Sequence, residues 1–485
     1  LVGSEMCIRD RTETTWSGVV HVTGDLLVPD GYTLTLEPGT LVLLDGVASG
    51  AGGVDIDVEG KIRSLGTAAS PVTFTAWNPS EPWGEIHHDV AAPSTYQYTN
   101  ITLAGHSPGG GHTDTGPAIR TQNSSITFEH SAITDLVGKT MQTQSASLTF
   151  RDCVLARSRM GPEIQGTGLL FEDSFIFDMH GPDDADGIYI HSQQAGQTVT
   201  LTGGALAFTD DDCIDTLGST VTIEDMVIRD ASDKGISVYD GEVFINRCLV
   251  TDNSLAAEDG TGSSISAKGH SGETVTVHID RSTVVGRDIG IEGRNKYGVP
   301  DVAIEYYVTN SIVLADDAVK TDYDPADIHI SYSDVSEDWP GTGNINADPL
   351  FVNPGAHDYR LREGSPCIDT GAPSAPTDPD GSRADMGCCP PVVTERVYPG
   401  GQLAADTTWE AEAGPYLVQG DLIVPPGVTL TIFPGTTVFF EPGAGLTVNG
   451  RLLALGTEYK KIYLGLTPGQ GGTWDGLAFS NTLED

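Results

Sequence analysis

One short phrase recurs through the middle of this 485-residue chain and constrains its fold more than any other feature. It runs polar residue, small residue, then an apolar or β-branched pair, as in EHSAIT, RDCVLA, EDSFIF, EDMVIR, NRCLVT, DRSTVV and TNSIVL. Its central residues are Ser131, Cys153, Ser174, Met226, Cys248, Ser282 and Ser311, with a looser copy around Gly204. Successive spacings are 22, 21, 30, 22, 22, 34 and 29 residues. Repeats of about 20–30 residues belong to solenoids, whereas a propeller blade needs roughly 40 or more. Within the repeats, SLTFRD and TVTIED alternate with period two, which places alternate side chains inside. The repeat predicts an all-β solenoid, a β-helix whose coils hold short strands.

Composition agrees. Gly at 59 residues and a charged fraction of 19 % suit short strands joined by tight turns. Asp and Glu number 68 against 25 Lys and Arg, a formal charge of −43. Such a field repels nucleic-acid phosphates and anionic membranes, and it attracts divalent cations. No apolar run approaches the roughly 18 residues of a membrane span. The seven Cys form no disulfide framework, so Cys153, Cys213 and Cys248 are expected as small buried apolar residues. Residues 1–11, LVGSEMCIRDR, lack strand alternation and resemble a leader seen at the ends of translated metagenomic assemblies. They are read as a non-native leader, and the chain, which stops in mid-pattern, as a fragment of a larger multi-module protein.

A longer repeat sets the domain plan. LLVPDGYTLTLEPGT (26–40) returns as LIVPPGVTLTIFPGT (422–436), and GKIRSLGT (60–67) as GRLLALGT (450–457). These blocks resemble the opening coils of bacterial surface β-helices, where a first coil must cover the apolar end of the core. Trp16, Trp83, Trp409 and Trp474 travel with them and are expected as capping core residues. NADPLF, DYRL, SPCIDTG and ADMG, between 346 and 387, resemble a closing segment of extracellular right-handed β-helices. The plan is a β-helix over 12–345, a closing segment over 346–387, a linker over 388–400, and opening coils of a second β-helix over 401–485. Asp378-Pro379-Asp380-Gly381 reads as a turn.

Five central coils align on a shared Ile: Ile188, Ile214, Ile236, Ile265 and Ile291. Two positions earlier stand Asp186, Asp212 and Lys234, and three positions later His191, Leu217, Tyr239, Lys268 and Arg294. Asp183, Asp184, Asp210 and Asp211 crowd the adjoining turns. Stacked strands lie about 4.8 Å apart, so each aligned position becomes a column. His87, His88, His106 and His112 match no compact metal-ligand spacing, and GHSPGGGH reads as a flexible loop.

Here the chain resembles the polygalacturonase-type glycoside hydrolases, of the right-handed parallel, pectin-lyase-like β-helix class. Where that family has NTDG, DDC, GHG and RIK on successive coils, this chain has DADG, DDC, DKG and SAK. The resemblance implies Asp212 as the acid, Asp186 and Asp211 as holders of the water, and Lys268 as the retained lysine. Lys234 replaces the family histidine and Ser266 its arginine. Inverting hydrolysis wants an acid and a base roughly 6.5–9.5 Å apart, and a cation beside Asp212 weakens it as an acid.

The same fold implies a second chemistry, that of calcium-dependent polysaccharide lyases. Asp183, Asp184, Asp211 and Asp215 form the candidate calcium set, with Lys268 or Arg294 as base. Lys234, His191, Tyr239 and Arg294 are the candidate substrate contacts. Against both stands a structural reading, in which stacked Asp and Lys neutralise one another and Asp caps turns. The overall expectation is a monomeric, secreted or cell-surface β-helix that contacts polysaccharide or a surface glycan, with an adhesive or structural role and calcium binding. A polysaccharide-degrading enzyme is the second reading.

Overall fold

The computed structural model describes residues 13–113, 115–181, 184–256, 262–295, 298, 302–322, 327–389, 396–411, 413–457, 460–468 and 470–480. The chain divides into two compact units. The first comprises Leu1–Ala347 with Thr370–Cys388, and the second Asp348–Asp369 with Cys389–Asp485. Pro354–Ala356 forms a single 3₁₀ turn. The candidate leader, residues 1–11, lies outside the described residues.

In the first unit every strand of the large sheet pairs in parallel with its counterpart on the next coil. One ladder begins at Leu26–Val28 and passes through Lys139–Gln144, Met160–Gln165 and Ile188–His191 to Asp317–Thr321. A second carries an internal ring stack, with Tyr96, Phe128 and Phe150 separated by 4.8 and 5.2 Å between centroids. Gly168–Met179 pairs with both Ser147–Arg151 and Val154–Ser158, so one strand runs around a corner between two ladders. The result is a right-handed parallel β-helix: the repeat spacing predicts the β-helix, and the family resemblance implies its hand. The alternating residues of each coil fill one continuous core, which includes Ile188, Ile214, Ile236, Ile265 and Ile291. Burying each such side chain contributes about 1.5–3 kcal/mol.

The recurring phrase now has a physical account. Its polar residue turns the corner in the left-handed region: His130, Asp152, Asp173, Asp225, Arg247, Arg281 and Asn310 have φ between 45° and 54°. Its small residue points inward, where Ser174 Oγ accepts from the Cys153 N–H at 2.9 Å and donates to the Glu172 carbonyl. Ser282, Ser311 and Ser333 repeat the pattern, each accepting from the backbone N–H of the preceding coil at 3.0–3.1 Å. A buried corner thus has its backbone donors satisfied by a hydroxyl column. Cys153, Cys213 and Cys248 are buried, as expected.

The second unit builds three parallel ladders of its own, through Tyr416–Val418, Leu422–Val424 and Thr429–Ile432. The duplicated block reproduces its turns as well as its strands, with Gly31 at φ 77° and Gly427 at 81°. Trp16, Trp83 and Trp409 are buried, while Trp474 is half-buried and stacks on Phe440. Arg396–Tyr398, within the expected linker, is already a ladder strand. The expected closing segment is divided, because Asp348–Asp369 groups with the second unit and Thr370–Cys388 with the first.

Candidate functional site

Register fixes the site. Ile188 pairs with Ile214, Ile214 with Ile236, Ile236 with Ile265, and Ile265 with Ile291. Because side chains alternate, the residue after each Ile faces outward, giving the column Tyr189, Asp215, Ser237, Ser266 and Glu292. Asp186, Asp212 and Lys234 stack beside it, joined by Gly187 N–H to Asp212 carbonyl (2.9 Å) and Cys213 N–H to Lys234 carbonyl (3.0 Å).

Four carboxylates converge there. One oxygen each from Asp186, Asp211 and Asp212 lie within 4.8 Å of one another. Asp186 is 1 % exposed, and its Oδ2 has no hydrogen-bond partner. Burial and then the charges of Asp215, Asp212, Asp211 and Asp184 push its carboxyl well above the ordinary range. Burial, Asp212 and Asp233 lift Asp211 to about 7. Burial and Asp212 lift Asp215 to about 6 against the pull of Lys268 and Ser237. Asp212 is also raised by burial, though Lys234 opposes this.

Two lysines answer these charges. Lys234 donates to Asp212 Oδ1 from its backbone N–H (2.8 Å) and from Nζ (3.3 Å), and Nζ also meets Asp233. Lys268 Nζ is 3.1 Å from Ser237 Oγ and sits over the Tyr239 ring, 5.6 Å from its centroid. Ser266 Oγ donates to Glu292 Oε2 at 3.1 Å.

The candidate residues fall into three groups. Asp186, Asp211, Asp212, Asp215 and Lys234 come together, with Lys268 on the same face. His191 and Tyr239 share that face, His191 with Nε2 3.7 Å from Glu163 Oε1 and Tyr239 bonded to His270. Arg294 is exposed at the end of Ile289–Gly293, three strands beyond Asp212, about 14 Å along the stack. Asp184 stands at the edge, 3.6 Å from His112. Asp183 lies outside the described residues.

His112 corrects the reading of GHSPGGGH as a flexible loop. The loop is bound down: Lys139 Nζ donates to the Gly110 carbonyl (2.8 Å), and the His112 N–H donates to Glu163 Oε2 (3.3 Å). Gly111 has φ +70°, in the left-handed region that favours glycine, and a Cβ there would fall 2.2 Å from Glu163 Oε2. The His112 ring stacks on Tyr189 (4.3 Å), which stacks on His191 (4.7 Å). Burial would lift the Glu163 carboxyl, but His191, Lys139 and the His112 N–H hold it down at about 2. Tyr189, Glu163 and Lys139 were not among the sequence candidates, and His112 was weighed there as a metal ligand only to be set aside for want of a ligand spacing. Their signal was a loop of irregular period between regular coils, since solenoid insertions gather on one face.

The comparisons agree with this fold. The family model described as right handed beta helix region matches residues 94–284. A curated relative, the Drosophila melanogaster protein bark beetle, is 36 % identical over 88 residues. That match covers 18 % of this chain and 3 % of the relative, so the chain spans a small fraction of that protein. Among solved structures, the A-module of the Azotobacter vinelandii mannuronan C-5 epimerase AlgE6 aligns with a TM-score of 0.50 at 12 % identity. The alignment covers 70 % of this chain and 92 % of that module. The pectate lyase Pel9A aligns at 0.42 and 15 % identity, over 75 % of this chain and 89 % of its own. Among the described residues no helix is long and apolar enough to cross a membrane. Strand register, the family model and the likeness to the epimerase module agree on one fold, and the chain is a right-handed parallel β-helix.

Proposed function

We propose that this β-helix is an extracellular protein that holds acidic polysaccharide along its outer ladder through a divalent cation at the Asp186 cluster. The observation that carries the reading is the buried, unpartnered Oδ2 of Asp186 among three further carboxylates. A buried carboxylate without partners is costly, and a proton or a cation must relieve it. Lys234 and Lys268 are two cations set against four carboxyl groups. Asp186, Asp211 and Asp212 offer an all-oxygen set of the kind calcium takes, so the residues fit that ion. Bound there, it would neutralise the carboxylate of a uronate-type sugar. The chain's own contribution is to orient that sugar, with Tyr189, His191 and Tyr239 on the flanking columns. A carbohydrate ligand also accords with the fold, which a mannuronan epimerase module shares.

A second reading, a lyase, is favoured by Lys268. Its Nζ, held by Ser237, stands on the same face as Asp215, where a base next to a neutralised uronate would act. Inverting hydrolysis is less well supported, because Lys234 pairs with Asp212, and a neighbouring cation weakens that carboxyl as a proton donor.

The test is binding of the full chain to a panel of polyuronates, with calcium and with chelator, for wild type and Asp186→Asn. Retention that needs calcium and is lost in the variant supports the proposal. Equal retention in chelator overturns it. Unsaturated sugar ends appearing only with calcium would establish the lyase.

A further inference from the structure

We infer that His112, Asp186 and Asp215 form a nitrogen-containing site for a first-row transition-metal dication, of the manganese, cobalt or zinc kind. This rests on the reading that the Asp186 cluster takes a cation, and goes beyond it in the ligands and the ion. One ligand atom from each of these three residues lies within 4.8 Å of the others. Three ligands bonded at about 2.1 Å to one ion stand roughly 3.0–3.6 Å apart, so a contraction on the order of an ångström would bring these atoms to bonding distance.

Two independent observations aim at the space between them. Asp186 Oδ2, on a side chain 2 % exposed, has no partner and stands 3.7 Å from His112 Nε2, too far for a hydrogen bond. Asp215 Oδ1 is likewise buried and without a partner. Two buried carboxylate oxygens from separate coils are thus left open in a cluster that the His112 ring completes, as ligands of a common ion would be.

The loop that brings His112 is built to hold it. The Lys139–Glu163 pair fastens Gly110 and His112 through the two hydrogen bonds described above, and Tyr189 fixes the ring plane by stacking. Outer partners that orient a histidine in this way are what metal sites require. The donor set chooses the ion. Calcium takes oxygen ligands, whereas imidazole with carboxylates suits manganese, cobalt and zinc. Because Asp186 belongs to both this set and the all-oxygen one, the two kinds of ion compete for it.

Chelator-stripped full chain is titrated with cobalt(II), followed by its visible d–d absorption, and with calcium, followed by calorimetry. We expect a cobalt spectrum of a mixed nitrogen–oxygen site and displacement of cobalt by excess calcium. His112→Gln should weaken cobalt at least tenfold and leave calcium within twofold. Asp215→Asn should weaken cobalt comparably. Equal cobalt affinity in wild type and His112→Gln overturns this inference while leaving the all-oxygen reading in place. Binding of neither ion to folded wild type, checked by circular dichroism, overturns both.

Discussion

Lys139 Nζ lies 2.6 Å from Glu163 Oε2, with the lysine side chain fully buried and the glutamate 5 % exposed. The two stand on adjacent strands of one ladder, and the pair pins the His112 loop to the outer sheet. Breaking such a pair from one side leaves a buried charge uncompensated, at about 3–5 kcal/mol. Glu163→Gln should therefore destabilise the first unit by roughly that much in urea denaturation. Lys139→Met combined with Glu163→Leu should recover much of it, because apolar replacement of both partners is often neutral. His112 would still be released in the double variant, so cobalt binding should stay weak when stability returns.

The same pair sets a pH dependence. Glu163 is held at about 2, below its ordinary 4.5. Its contribution is therefore fully present above pH 4.5 and is lost as pH falls toward 2. The stability gap between wild type and Glu163→Gln should be constant above about pH 5 and should narrow on acidification. Urea midpoints measured across pH 3–7 decide this, and a gap that widens in acid would contradict it.

The Asp186 cluster behaves in the opposite sense. Asp211 and Asp215 are raised to about 7 and about 6, so their protons stabilise the cation-free fold. That contribution is complete below the unfolded carboxylate value and is lost as pH rises through 6 and 7. Chelator-treated protein should lose thermal stability between pH 5 and 8, and the gain on adding calcium should grow over the same interval. Asp186→Asn should flatten both curves, raising the melting temperature of chelated protein at pH 8 while abolishing its response to calcium. Function and stability are then opposed at one carboxylate.

Much of this was legible in the sequence, for reasons that particular residues make clear. The isoleucine column follows from counting alone, because a stacked coil puts like residues in register, and Ile188 through Ile291 pair as counted. Asp186, Asp212 and Lys234 follow from it by fixed offset. His112 does not. It joins Asp186 from a part of the chain 74 positions earlier, through a loop with no period to count. Arg294 shows the converse, since an aligned position gives a column but not the distance along it at which chemistry stops.

Lys234 is the cluster's main counter-charge, at 3.3 Å from Asp212 and also paired with Asp233. Lys234→Met removes it without changing side-chain length much. The cation-free variant should lose about 3 kcal/mol, because Asp212 is left buried and ionised beside its neighbours. Its calcium affinity should rise about tenfold, as one competing positive charge is gone from the site. Calorimetry with chelated protein gives both numbers. A fall in affinity would mean that Lys234 orders the carboxylates rather than competing for them.

The site also depends on how closely the coils stack beneath it. A Cβ on Gly161 would meet the Gly187 carbonyl oxygen at 1.6 Å, and that oxygen belongs to the residue following Asp186. Neither atom is the end of a flexible side chain, so the clash can be relieved only by parting two coils. Gly161→Ala should cost more than about 3 kcal/mol, beyond the usual range for a small surface change. If the protein still folds, cation binding should weaken with it, because Asp186 would be carried away from Asp211 and Asp212. Gly24→Ala is the control, since nothing lies within 4 Å of its added Cβ. It should stay within about 0.5 kcal/mol of wild type and bind cation normally. Equal effects from the two substitutions would mean that the first acts through backbone freedom, and that coil spacing does not hold the carboxylates together.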